Sequence, residues 1–88
     1  MKNSNFRIPT KRSLSFSVIY EEAPGEGYVA FAPSLPGCHT QGDTIEEAEK
    51  NIQEAIELYL ESLEANGEAI PQEKRILQGK IDVAYPLQ

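Results

Sequence analysis

The sequence predicts a single small α+β domain in the order β-β-β-α-β, an antiparallel sheet with one long helix packed on one face. Three observations carry that prediction. Residues 14–22 and 28–32 alternate apolar and polar around a Pro-Gly turn. Residues 45–66 carry an apolar stripe at three- and four-residue steps, bounded by a capping residue and a glycine. And 88 residues make one domain with no room for a second.

Leu14–Glu22 is the first expected strand. Leu14, Phe16, Val18 and Tyr20 share one face, and Ser13, Ser15, Ser17 and Ile19 the other. Period two with β-branched and aromatic residues describes a half-buried strand. Ala23-Pro24-Gly25-Glu26-Gly27 is turn chemistry, so Tyr28–Ala32 should return antiparallel as a hairpin. Pro33-Ser34-Leu35-Pro36-Gly37 then breaks the ladder, because proline has no backbone N–H to donate. Cys38–Gln41 reads as a short third strand, closed by Gly42.

The helix follows from local chemistry. Thr44 with Glu47 fits a capping box, and Asp43 with Glu46 fits the same pattern one residue earlier, so the spacing allows either start. Glu46, Glu47 and Glu49 crowd the first turn, where the helix dipole favours negative charge. Ile45, Ala48, Ile52, Ala55, Ile56, Tyr59 and Leu63 form one apolar stripe, with Lys50, Gln53, Glu54, Glu57, Glu61 and Glu64 on the far side. Asn66-Gly67 should end the helix, with Gly67 in the left-handed conformation, and Pro71 discourages resumption. Glu68–Gly79 is a polar connection. Lys80–Tyr85 alternates again, Ile81, Val83 and Tyr85 against Asp82 and Ala84, and is expected as the last strand.

Charge divides the chain. Eight basic and fourteen acidic residues give a net charge of −6. Lys2, Arg7, Lys11 and Arg12 lie in the first twelve residues, where no acid occurs. Residues 1–12 therefore read as a flexible basic arm and residues 13–88 as the core domain, with four bases against fourteen acids. An acidic body repels nucleic acid phosphate and attracts basic proteins, so direct nucleic acid contact is disfavoured. So small a chain buries only about 60% of its unfolded surface, which makes self-association expected. One cysteine, no secretory segment and no long apolar run point to a reducing, cytoplasmic setting.

Catalytic equipment is sparse. Cys38 and His39 are adjacent on an expected strand and point to opposite faces, so they cannot act on each other. Zinc would need two further Cys or His ligands that the chain lacks. A metal-dependent hydrolase needs acids converging from strands. The strands offer only Glu21, Glu22 and Asp82, and the two glutamates face opposite ways. No cofactor, metal or enzymatic activity is expected. Exposure logic instead selects partner-contact candidates: Tyr28, Leu35 between its two prolines, His39, and Glu54, Leu58 and Glu61 on the outer helix face. Leu60 also lies off the stripe, on the other side. Over residues 45–66, seven glutamates and one lysine leave six net negatives, more than solubility asks for.

The segment GYVAFAPSLPGCHTQGDTIEEAEKNIQEAIELYLE resembles the HicB-like antitoxin family of bacterial and archaeal toxin–antitoxin systems. The resemblance covers roughly Phe16 through Ile70. Its most specific parts are Ala32-Pro33-Ser34-Leu35-Pro36-Gly37-Cys38, the turn Gly42-Asp43-Thr44, and Glu46-Glu47-Ala48 followed by Ala55-Ile56. The resemblance implies a partial ribonuclease-H-like fold. It implies binding of a HicA-like toxin, a small basic protein that cleaves mRNA, and assembly into homodimers or homotetramers. Longer members carry a C-terminal DNA-binding domain. This chain stops at Gln88, so the short form lacking that domain is expected. An orphan homo-oligomer without a toxin, and a remnant metal-dependent nuclease using Asp82 with Glu21 or Glu22, stand as alternatives.

Overall fold

In the computed structural model, which describes residues 13–87, three strands and one helix follow in order: β1 (Ile19–Glu22), β2 (Tyr28–Phe31), β3 (His39–Gly42) and α1 (Ile45–Ala65). The expected basic arm lies outside the described residues. The sheet order is β1-β2-β3, and both pairings are antiparallel. Ile19 opposes Phe31, which opposes His39; Tyr20 opposes Ala30, which opposes Thr40. Side chains alternate across a pleated strand, so the row Tyr20, Ala30, Thr40 faces the helix and the row Ile19, Phe31, His39 faces away.

Each connection is set by local residues. Glu26 N–H donates to the Ala23 carbonyl across Pro24-Gly25, with Gly25 at φ +77°. Proline presets the second position of such a turn and glycine alone takes positive φ without cost. Between β2 and β3, the Leu35 N–H donates to the Ala32 carbonyl and the Cys38 N–H to the Leu35 carbonyl, two successive turns that seat Leu35 inside the domain.

The strands are shorter than the periodicity predicts, for a physical reason. β2 ends at Phe31 before Pro33, so the ladder has nothing to offer Leu14–Val18. Those residues lie outside the sheet, although Phe16 and Val18 still pack against the core. β3 begins one residue later than expected because the Cys38 N–H is turned back into the loop, and it ends on Gly42, the partner of Tyr28.

α1 matches its expected limits. Thr44 is the N-cap, and its Oγ1 accepts from the Glu47 N–H at 3.0 Å. The Glu47 carboxylate reaches back to the Asp43 N–H, one residue beyond the usual capping-box partner. At the other end Gly67 sits at φ +71°, the Gly67 N–H donates to the Glu64 carbonyl and the Glu68 N–H to the Leu63 carbonyl. That pair of bonds is the Schellman arrangement, and it satisfies carbonyls the helix end would leave orphaned.

The core is small: Ala30, Ala32, Leu35, Cys38, Ala48 and Ile52 are buried, with Phe16, Val18, Tyr20, Tyr28, Ala55, Ile56, Tyr59 and Leu60 packed around them. Small residues mark the closest approach of helix to sheet. Gly42 is buried, and a Cβ there would stand 2.8 Å from the Ala48 Cα. Leu60 belongs to this packing and not to the outer surface: Ile52, Ile56 and Leu60 step by four residues along one helix face.

The expected fourth strand is absent from the described residues. Residues 68–87 form neither helix nor strand. Ile81, Val83 and Tyr85 are exposed, because a strand requires a ladder partner and none lies beside them. The connection is nevertheless tied down at one point. The Glu73 carboxylate accepts from the Ser17 N–H at 2.6 Å, the Ser17 hydroxyl at 2.6 Å and the Ser34 hydroxyl at 3.1 Å.

Candidate functional site

The six partner-contact candidates do not form one surface. Leu35 is fully buried, so its selection as an exposed contact is corrected: both flanking prolines face out while the double turn points the leucine inward. Tyr28 is half-buried and packs on the core from the helix-facing side of β2. His39 is exposed on the opposite side of the sheet, beside Phe31. Glu54, Leu58 and Glu61 are all exposed on the outer face of α1. Sheet and helix layers thus separate His39 from the helical group, and Tyr28 and Leu35 lie between the layers.

The helical group is a coherent patch. Glu54, Leu58 and Glu61 recur at four- and three-residue steps, with Glu57 and Glu64 next to them, and these residues are exposed. Leu58 is 65% exposed at the centre of this carboxylate field. The arrangement offers one apolar anchor inside a negative rim, which suits a partner with an apolar socket ringed by Lys or Arg.

The other sheet face is a second exposed area. Ile19, Val29 and Phe31 are half-buried there, bordered by exposed Glu21, His39 and Gln41. The Gln41 side chain is committed locally, its Nε2 donating to the Glu26 carbonyl at 2.9 Å.

Between α1 and β1 lies an open groove of about 810 Å³. Phe16, Val18 and Tyr20 supply one wall, Ile52, Ile56 and Leu60 the other; Glu46, Glu49 and Glu57 stand at its rim with Lys50. Burial pushes the Tyr20 phenol above its usual range, and the Glu49 carboxylate adds to that shift. Cys38 is buried, and desolvation raises its thiol, which keeps it in the unreactive neutral form. The Glu73 carboxyl is held below its usual range by the two Ser17 hydrogen bonds, aided by Ser34 against a smaller opposing desolvation. Among the described residues no three His, Cys, Asp or Glu side chains gather as metal ligands would. No helix of the described residues is long and apolar enough to cross a membrane.

Two features escaped the sequence reading. The groove arises because β1 is short and its lead-in lies outside the ladder, and strand limits depend on partners rather than on periodicity. The Glu73 anchor joins positions 56 residues apart, and a lone glutamate in a polar connection carries no signal of such a partner.

The family model described as "HicB_like antitoxin of bacterial toxin-antitoxin system" matches residues 16–86. The UPF0150 protein ssr1765 of Synechocystis is 48% identical over 71 residues, covering 81% of this chain and 90% of that protein. A UPF0150 protein of Helicobacter pylori is 47% identical over 64 residues, covering 73% of this chain and 89% of that protein. The crystal structure of TTHA0281 from Thermus thermophilus is similar at a TM-score of 0.58 and 38% sequence identity, over 61% of this chain and 68% of that one.

Proposed function

The chain belongs to the HicB-like antitoxin family of bacterial toxin–antitoxin systems, and from that premise we propose that it binds and neutralises a small basic HicA-type toxin that cleaves mRNA. The observation that carries the reading is the outer face of α1. Glu54, Glu57, Glu61 and Glu64 surround an exposed Leu58, a pattern that costs the free protein an apolar contact with water and gains it a docking point. A basic ribonuclease carries the complementary surface because it must hold RNA phosphates. Occupying that surface blocks RNA without any chemistry by the antitoxin. Charge complementarity speeds the encounter, and the buried leucine slows dissociation.

The test is co-expression of this chain with the small basic open reading frame next to its gene. Growth rescue together with a stable purified complex supports the reading. A neighbour that is not toxic, or a toxin that neither binds nor is relieved, removes it.

A further inference from the structure

We propose that residues 1–12 dock back along the groove between α1 and β1 of their own chain, as a basic strap over apolar walls with an acidic rim. The groove supplies both halves of that match. Phe16 and Val18 belong to one wall and Ile56 and Leu60 to the other, and all four are only half-buried. Leu14, which also lines the groove, is 45% exposed. Apolar walls open to water gain by being covered. Glu46, Glu49 and Glu57 stand at the rim against the single cation Lys50. Residues 1–12 carry the complement: Lys2, Arg7, Lys11 and Arg12 without an acid, and Phe6 and Ile8 as apolar side chains. Phe6 and Ile8 stand two apart, so on extended backbone they share a face. Pro9 biases the residue before it, Ile8, toward that backbone.

Attachment, length and charge select this occupant. Ser13 and Leu14 line the groove themselves, so the arm starts at the wall and has no gap to cross. The helical wall from Glu46 to Leu60 is about 21 Å long at the α-helical rise. An extended chain from Ser13 back to Phe6 reaches about 23 Å, enough to set Phe6 anywhere along that wall. Tethering holds the arm at an effective concentration in the millimolar range, which a separate molecule does not match. Residues 80–87 are the other exposed apolar run, but they carry Lys80 against Asp82 and no net charge. They answer the walls and not the rim. Among the described residues the outer edge of β1 has no partner strand, and its backbone groups are open to an extended neighbour. The matched family pattern begins at residue 16, so it does not describe the arm. Docked, the arm covers the apolar walls and neutralises the rim. While it stays, the groove is closed to any other extended segment. This inference is independent of the toxin reading, since it concerns the free protein.

The experiment is paramagnetic relaxation in the full chain. A nitroxide is attached through Asn5→Cys, with Cys38→Ala removing the other thiol. The expected result is strong broadening of the Val18, Ile56 and Leu60 methyl resonances. Leu58 on the outer helix face and Val29 on the far face of the sheet should be little affected. When the nitroxide and the isotope label are carried on separate chains and mixed, no broadening is expected, because the contact lies within one chain. A second measurement leaves Cys38 untouched. Arg7→Glu with Lys11→Glu in the otherwise unaltered chain should shift the Val18, Ile56 and Leu60 resonances and leave the helical circular dichroism spectrum unchanged. Broadening that is absent, or spread evenly over the groove and the far faces, overturns the proposal. So does broadening in the mixed sample, which would place the arm on a neighbouring molecule, and so do groove resonances that ignore the charge reversal.

Discussion

The Glu73 carboxylate holds Ser17 by both of its polar groups, accepting from the backbone N–H and from the hydroxyl at 2.6 Å each. These bonds favour the ionised carboxyl, so its folded-state pKa lies below the ordinary 4.5. By linkage, a depressed acid contributes stability that is fully present above the unfolded value and is lost as pH falls through the folded one. The contact should therefore hold at neutral pH and release only in acid, below 4.5. The Ser17 amide resonance is expected to titrate with an apparent pKa under that value. Glu73→Gln should abolish the titration. A Ser17 amide indifferent to pH and to the substitution would show that the contact does not form in solution.

Gly42 sets how closely α1 lies on the sheet. Its φ is not in the left-handed region, so a side chain is excluded there by space alone. A Cβ would press on the Ala48 backbone, which a helix cannot move without shifting as a body. Gly42→Ala is expected to destabilise the fold by about 1–3 kcal/mol, the usual range for overpacking. Gly79→Ala, where nothing lies within contact distance, is the matched control and should be close to neutral. Urea midpoints of the two variants decide the point, and equal midpoints would mean that the layers are not in contact at Gly42.

Leu35 is the largest side chain of the loop and is fully buried. Its truncation to alanine should cost about 2–5 kcal/mol, a large part of the roughly 5–15 kcal/mol that holds a small domain together. Chemical denaturation of Leu35→Ala checks this. A partner-contact role would instead leave stability unchanged and weaken binding only.

How far the sequence was legible depends on where each feature gets its information. Thr44 and Gly67 bound the helix because a cap is decided by residues within one turn of it. The antiparallel order of β1, β2 and β3 was readable because Pro24-Gly25 and Pro36-Gly37 dictate their turns locally. Strand ends were not readable, since Leu14–Val18 alternate as well as Ile19–Glu22 do, and only the length of β2 decides which of them pair. Lys80–Tyr85 shows the same limit: alternation records what a segment can do beside a partner and not whether its own chain supplies one. Leu35 was misplaced because two exposed prolines suggested an exposed leucine, whereas the double turn aims it inward. Glu54, Leu58 and Glu61 are exposed on the outer helix face, as periodicity predicts, because helical spacing assigns faces directly.

Leu58 and its carboxylate neighbours should be separable by kinetics in a complex with a basic toxin. An apolar anchor excludes water once docked, so Leu58→Ala is expected to raise the dissociation rate at least about fivefold, equivalent to roughly 1 kcal/mol, with little change in association. Rim charges act at a distance, so Glu57→Lys with Glu61→Lys should slow association and flatten its dependence on salt. Neither change should alter the free fold, because both residue sets are solvent-exposed. Surface plasmon resonance across a salt series measures both rates. If Leu58→Ala and the double reversal leave both rates unchanged, the toxin docks elsewhere, and the outer sheet face around Ile19, Phe31 and His39 becomes the surface to probe.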